Sequence, residues 1–231
     1  MKTLGVIGGI GPESTISYYR SLIETYRRLR PDGTYPPLIL NSIDLKRMLD
    51  FVGSNRLPEA TEYLLVELGK LAKAGADFGL LAANTPHLVF DELQRRSTIP
   101  LLSIVEATRE AATSSQLKIL GLFGTRFTME GKFYPEVFSR GDITIVLPNS
   151  EERDLIHTKY MNELIPGVFL AETRDRLLGI VETMKKRNGI QGVILGGTEL
   201  PLILPDASAH GIPFLDTTKI HVEAAIKYLL S

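Results

Sequence analysis

The sequence contains no cysteine and no tryptophan. Without thiols it cannot form a disulfide, bind zinc through thiolates, or use a cysteine as nucleophile or base. It has only 4 histidines, and three of them, His157, His210 and His221, lie in separate segments without ligand spacing. There is no His-Glu-x-x-His and no carboxylate cluster at metal spacing, so no metal is expected. Neither sign of charge dominates: 26 basic against 27 acidic residues leave a net charge of -1. Such a balance offers no basic field to hold nucleic acid or an anionic membrane. No apolar run is long enough to span a bilayer. The opening MKTLGVIGGIGPE is broken by glycines and a proline, which fits a strand entering a loop better than a signal peptide. These absences point to a cytoplasmic protein.

The 231 residues, 44% hydrophobic and 23% charged, suffice to bury one large core or two small ones. Short apolar runs alternate with longer helical patterns throughout. Strands are expected at Thr3–Ile7, Leu38–Ser42, Phe78–Ala82, Leu101–Ile104, Lys118–Phe123, Ile143–Val146, Gly192–Leu195 and Pro213–Leu215. Most are continuously apolar, as strands covered by helices on both faces must be. Helices are expected at Glu13–Leu29, Pro58–Ala74, Thr173–Lys186 and Thr218–Leu230. In the second of these, Tyr63, Leu64, Val66, Leu68 and Leu71 recur near helical spacing. This alternation predicts an α/β fold of parallel βαβ units, with loops at the strand C-termini as the natural site.

The chain also resembles itself. LGVIGG at Leu4–Gly9 matches LGLFGT at Leu120–Thr125, GADFGLLAANTPH at Gly75–His87 matches GIQGVILGGTELP at Gly189–Pro201, and PLLSIVEAT at Pro100–Thr108 matches PFLDTTKIH at Pro213–His221. The offsets are 116, 114 and 113 residues, in order. Three matches at nearly one spacing predict two duplicated, pseudo-symmetric halves, residues 1–105 with 212–231 and residues 106–211, with two equivalent loops facing each other across a cleft.

Two constellations can carry chemistry. The first is GGIGPEST at Gly8–Thr15, where Gly8, Gly9 and Gly11 let backbone N–H groups approach an anion beside a helix start. A dinucleotide reading is weaker: Gly9-x-Gly11-x-x-Ser14 lacks its last glycine, and Asp44 lies too far downstream for a ribose contact. A plain tight turn is the structural alternative. The second constellation is LAANTPH at Leu81–His87 with its counterpart LGGTEL at Leu195–Leu200. Asn84, Thr85 and Thr198 can hold a carboxylate there or simply cap helices.

The segments LGVIGGIGPEST, LLAANTPH, LGLFGTRFTMEGKFY, ILGGTELPLIL and FLDTTKIHVEAA, taken in order, resemble the aspartate/glutamate racemase family over nearly the whole chain. The resemblance implies two pseudo-symmetric α/β domains, commonly a homodimer, using neither pyridoxal phosphate nor any other cofactor. It implies a small amino acid or dicarboxylate as ligand, and Thr125 as a ligand-binding position. It also implies catalytic cysteines at the positions of Ala83 and Gly197, one on each side of the substrate carbon. Racemisation removes a proton from one face and returns one to the other, so it needs two opposed acid/base groups. Ala83 and Gly197 have no titratable atom.

Three readings follow: two natural cysteines have been replaced; the chain has left two-thiol chemistry for another reaction or for carboxylate binding alone; or other residues supply the bases. Candidates for the last are His87, Glu199, Asp44 and Lys46. Arg47, near the end of the second strand, can pair bidentately with a substrate carboxylate or remain a solvated helix charge.

Overall fold

A computed structural model describes residues 1–231. The chain divides into two compact units, Met1–Ile104 with Thr218–Ser231, and Val105–Thr217. The first holds four parallel strands, β1 (Leu4–Gly8), β2 (Leu38–Ser42), β3 (Phe78–Leu81) and β4 (Leu101–Leu102), ordered β2-β1-β3-β4. The second holds β5 (Ile119–Gly124), β6 (Thr144–Val146), β7 (Gly192–Gly196), β8 (Ser208–Ala209) and β9 (Ile212–Asp216), ordered β6-β5-β7-β9-β8. Apart from the short antiparallel β8, the second order repeats the first, strand for strand and in parallel. The duplication legible in the sequence is therefore a duplication of topology.

The central strands are the most apolar. Every residue of β1, β3 and β7 is buried. The edge strand β2 is half exposed, which its Asn41 and Ser42 anticipate. One domain boundary differs from expectation. Residues 212–217 stay with the second unit because β9 pairs with β7 from Val193↔Phe214 to Leu195↔Asp216. Only Thr218–Ser231, which holds all but the first residue of the last helix (Thr217–Leu230), returns to the first unit. There Val222, Ala225, Ile226 and Leu229 join Leu4, Val6, Phe78 and Leu80 in one core cluster. The spacing of those four residues places them on one helical face.

The helix Leu57–Lys73 buries Ala60, Thr61, Leu64, Leu68 and Leu71. Val66, expected on that stripe, is 60% exposed, and Glu67 is buried instead. The Glu67 carboxylate is held by Lys70 at 2.7 Å and Asn41 at 2.7 Å, which satisfies a charge that burial alone would disfavour.

Candidate functional site

In the first unit the candidate residues gather where β1 and β3 end side by side. Gly8 and Gly9 close β1, and Ala83, Asn84 and Thr85 follow β3, all buried. The glycines serve the turn itself. Gly9 has φ +79, and a Cβ there would lie 2.4 Å from the Ile43 carbonyl oxygen. Its N–H donates to Thr15 Oγ1 at 2.8 Å, and that hydroxyl donates to the Gly11 carbonyl at 3.0 Å. The Gly9 N–H is thus engaged inside the loop. Ser14 Oγ donates to the Ala82 carbonyl at 3.2 Å, tying the β1 loop to the β3 loop.

Thr85 opens a short turn of 3-10 helix, Thr85–Val89, rather than a long helix. Its counterpart after β7, Leu200–Ile203, is likewise a single turn. Macrodipoles this short contribute little, so local N–H groups and hydroxyls carry whatever anion affinity these loops have.

His87 is spent on structure. The Ile104 N–H donates to His87 Nε2 at 3.2 Å, and since an amide can only donate, Nε2 must be the acceptor. The proton is then on Nδ1, which donates to the Ala83 carbonyl at 3.2 Å. Neither nitrogen retains a lone pair for a substrate proton. Burial pushes the His87 pKa down to about 3, helped by the nearby His221. His221 is itself pushed to about 4 by burial, with Nε2 donating to the Leu102 carbonyl and Nδ1 accepting from Tyr18.

Both histidines stay neutral in the folded state while the unfolded chain takes up protons below the ordinary value of 6.5. They contribute stability that is complete above that pH and is lost as pH falls towards the folded values. We expect the pair to cost about 2 kcal/mol between pH ~6.5 and ~5.5. Urea unfolding at those two pH values measures it, and a flat profile would contradict the assignment.

Asp44 caps the helix Leu45–Gly53, accepting from the N–H of Lys46 at 2.8 Å and Arg47 at 3.3 Å. Lys46 is exposed and pairs with Asp50. The Arg47 guanidinium lies 4.4 Å from the Tyr63 ring centroid, on the exposed face of its helix.

In the second unit Thr125 follows β5, while Gly197, Thr198 and Glu199 follow the neighbouring β7. Thr125 Oγ1 accepts from the Thr128 N–H at 3.2 Å and caps the short helix Arg126–Glu130. Thr198 and Glu199 are 3% and 2% exposed. The Glu199 carboxylate accepts from the Thr198 hydroxyl at 3.2 Å and from the Tyr160 hydroxyl.

Tyr160 was not among the residues expected from sequence. It ends the helix Ser150–Lys159 and opens a π-helical turn, Tyr160–Leu164, in which the Ile165 N–H donates to the Tyr160 carbonyl at 3.0 Å. Such wide turns recur at functional sites. Its ring belongs to the core cluster of the second unit. A Cβ on Gly197 would lie 2.4 Å from Tyr160 Cε2 and 2.7 Å from its hydroxyl oxygen. The phenol therefore fills the space a side chain at 197 would need. Burial, and then the charge of Glu199, push the Tyr160 hydroxyl well above its ordinary range, so it is held neutral.

Duplicated parallel α/β units, each collecting buried polar residues at the ends of two adjacent central strands, define the class as a two-domain, duplicated α/β protein. The sequence model of the Asp/Glu/Hydantoin racemase family matches residues 7–225, and the chain belongs to that family. It is 28% identical to the broad specificity amino-acid racemase RacX of Bacillus subtilis, over 99% of this chain and 98% of that one. Among solved structures it is similar to a putative Asp/Glu racemase from Yersinia pestis, with 31% identity, TM-score 0.89 and full coverage of both chains. An aspartate racemase homologue from Pyrococcus horikoshii OT3 follows at 33% identity and TM-score 0.84, again over both whole chains.

Proposed function

We propose that this chain binds a small amino acid or dicarboxylate at its strand-end loops. We further propose that it moves a proton at the carbon beside the carboxyl group from one side only, without a cofactor. The observation that carries this reading is the asymmetry of the two equivalent loops. After β7 a buried carboxylate, Glu199, stands two positions from Gly197. After β3, Ala83 is inert and both nitrogens of His87 are engaged by the backbone. One loop retains a group able to accept a proton and the other does not, whereas racemisation needs one on each side.

Family membership and the amino-acid racemase activity named for its relatives support the ligand class. The polar groups this reading draws on are Gly8, Asn84 and Thr85 in the loops of the first unit, with the buried Thr218 hydroxyl, which has no hydrogen-bond partner, and Thr125 and Thr198 in the loops of the second. A carboxylate drawing on Arg47 would compete with its stacking on Tyr63. The homodimer and the cytoplasmic location expected from the resemblance remain part of this reading, and sedimentation velocity measures the former.

Incubation with L- and D-aspartate and L- and D-glutamate in deuterated water tests the proposal. Calorimetry should show binding, proton NMR should show deuterium entering the α-carbon, and chiral chromatography should show handedness retained. Binding without exchange would instead mark a carboxylate-binding protein without turnover, the reading that the empty positions 83 and 197 favour next.

A further inference from the structure

We infer that Tyr160 stands in for the side chain missing at position 197 and, together with Glu199, forms the proton relay of the loop after β7. The inference rests on the reading that a small carboxylic acid meets that loop.

Three observations converge on it. First, the ring lies where a Cβ at 197 would be, and the hydroxyl oxygen is as near to that point as a bonded neighbour's substituent would be, 2.7 Å away. Beyond residues 196–198 themselves, the proton-bearing atom nearest that point thus belongs to Tyr160. Second, space-filling alone does not call for a hydroxyl. A phenylalanine would occupy the same volume without burying a polar group that must then be satisfied. Here the hydroxyl is satisfied by a buried carboxylate, which makes a donor–acceptor pair of the kind proton transfer uses. Third, Tyr160 is presented by a π-helical turn, a departure from regular helix that displaces the residue relative to its neighbours.

A relay also suits a phenol held neutral by burial. The phenol oxygen accepts the carbon-bound proton as its own proton passes to Glu199. The C–H bond breaks, an O–H bond forms on Tyr160, a second forms on the Glu199 carboxylate, and the electron pair left on carbon spreads into the ligand's carboxyl group. Reversal of the same steps returns a proton to carbon. No free phenolate forms at any stage, and nothing is oxidised or reduced.

Tyr160→Phe keeps the ring and removes the relay atom, and Glu199→Gln keeps the shape and removes the acceptor. Each is to be assayed beside the unaltered protein with the four aspartate and glutamate enantiomers, by calorimetry for binding and by proton NMR in deuterated water for exchange. Both variants should bind as the unaltered protein does and lose about 100-fold or more of the exchange rate. Tyr160→Phe exchanging at the full rate would overturn the relay and leave the proposed function standing. Should that variant not fold, Glu199→Gln exchanging at the full rate overturns the relay equally. An unaltered protein that binds none of the four acids, or binds without exchange, overturns both the relay and the proton-transfer reading.

Discussion

Gly9→Ala is expected to destabilise the first unit by about 3 to 5 kcal/mol, a large share of the stability of a domain this size. Two separate costs add. At φ +79 the backbone of Gly9 is in the left-handed region, where a Cβ costs about 1–2 kcal/mol. The new methyl would also sit 2.4 Å from the Ile43 carbonyl oxygen and 2.7 Å from the Ile43 nitrogen. These are backbone atoms and cannot turn away as a side chain would. Ile43 is moreover fixed to β1, its N–H donating to the Gly8 carbonyl at 2.9 Å. Relief requires the β2 loop to move off the β1 loop, at the cost of overpacking strain and of that hydrogen bond, together about 2–3 kcal/mol. Gly75→Ala supplies the control: its φ is +98, but nothing lies within 4 Å of the new carbon. It should show the conformational cost alone, about 1–2 kcal/mol. Urea unfolding of the two variants isolates the contact term as their difference, and equal losses would mean that the loop yields freely.

This result would bear on how the glycine loop is understood. From sequence, Gly8 and Gly9 invite a ligand-approach reading, because glycine lets a backbone come close to an anion. What actually comes close is Ile43, and the Gly9 N–H is taken by Thr15. A sequence cannot distinguish the two, since close approach by a ligand and by another loop impose the same demand on the residue.

The pattern of what was legible has a physical basis throughout. The strands β1, β3, β5 and β7 are read correctly to within a residue at each end because burial on both faces forces unbroken apolar runs. The two-residue β8 goes unread, because Ser208 and Ala209 carry no apolar signal and only pairing with Ile212 and Pro213 makes them a strand. The loop after β7 is legible through its repeat with the loop after β3. Tyr160 is not. It lies 39 positions before Glu199 on a helix end, in a segment with no motif, and a π-helical turn leaves no periodic trace. The only available signal was negative: a strand-end glycine at 197 leaves a volume that some other side chain must fill, and one sequence does not say which.

That filling has a measurable consequence. Gly197→Cys is expected to cost about 3 kcal/mol, the upper end for overpacking. The obstacle is a ring rather than a flexible tip: Cε2 and Cζ of Tyr160 would lie 2.4 Å and 2.8 Å from the new Cβ. The ring cannot swing aside cheaply, being packed in the core of the second unit and hydrogen-bonded to Glu199. In a Tyr160→Leu background the same Gly197→Cys change should be nearly free, because the shorter side chain vacates the space it needs. The double-mutant cycle should therefore give a coupling of about 3 kcal/mol, at the top of the range for residues in contact. Gly179→Ala, at a helical position with nothing within 4 Å, controls for the effect of adding a carbon to any glycine and should not destabilise. The same geometry bears on chemistry. Placing thiols at both positions through Ala83→Cys with Gly197→Cys leaves the second one in collision with the phenol, so that pair alone should not racemise aspartate or glutamate. Adding Tyr160→Leu is the smallest further change that gives both thiols room. An additive cycle, or racemisation by the two-cysteine variant with Tyr160 intact, would show that the phenol does not hold the place of the second thiol.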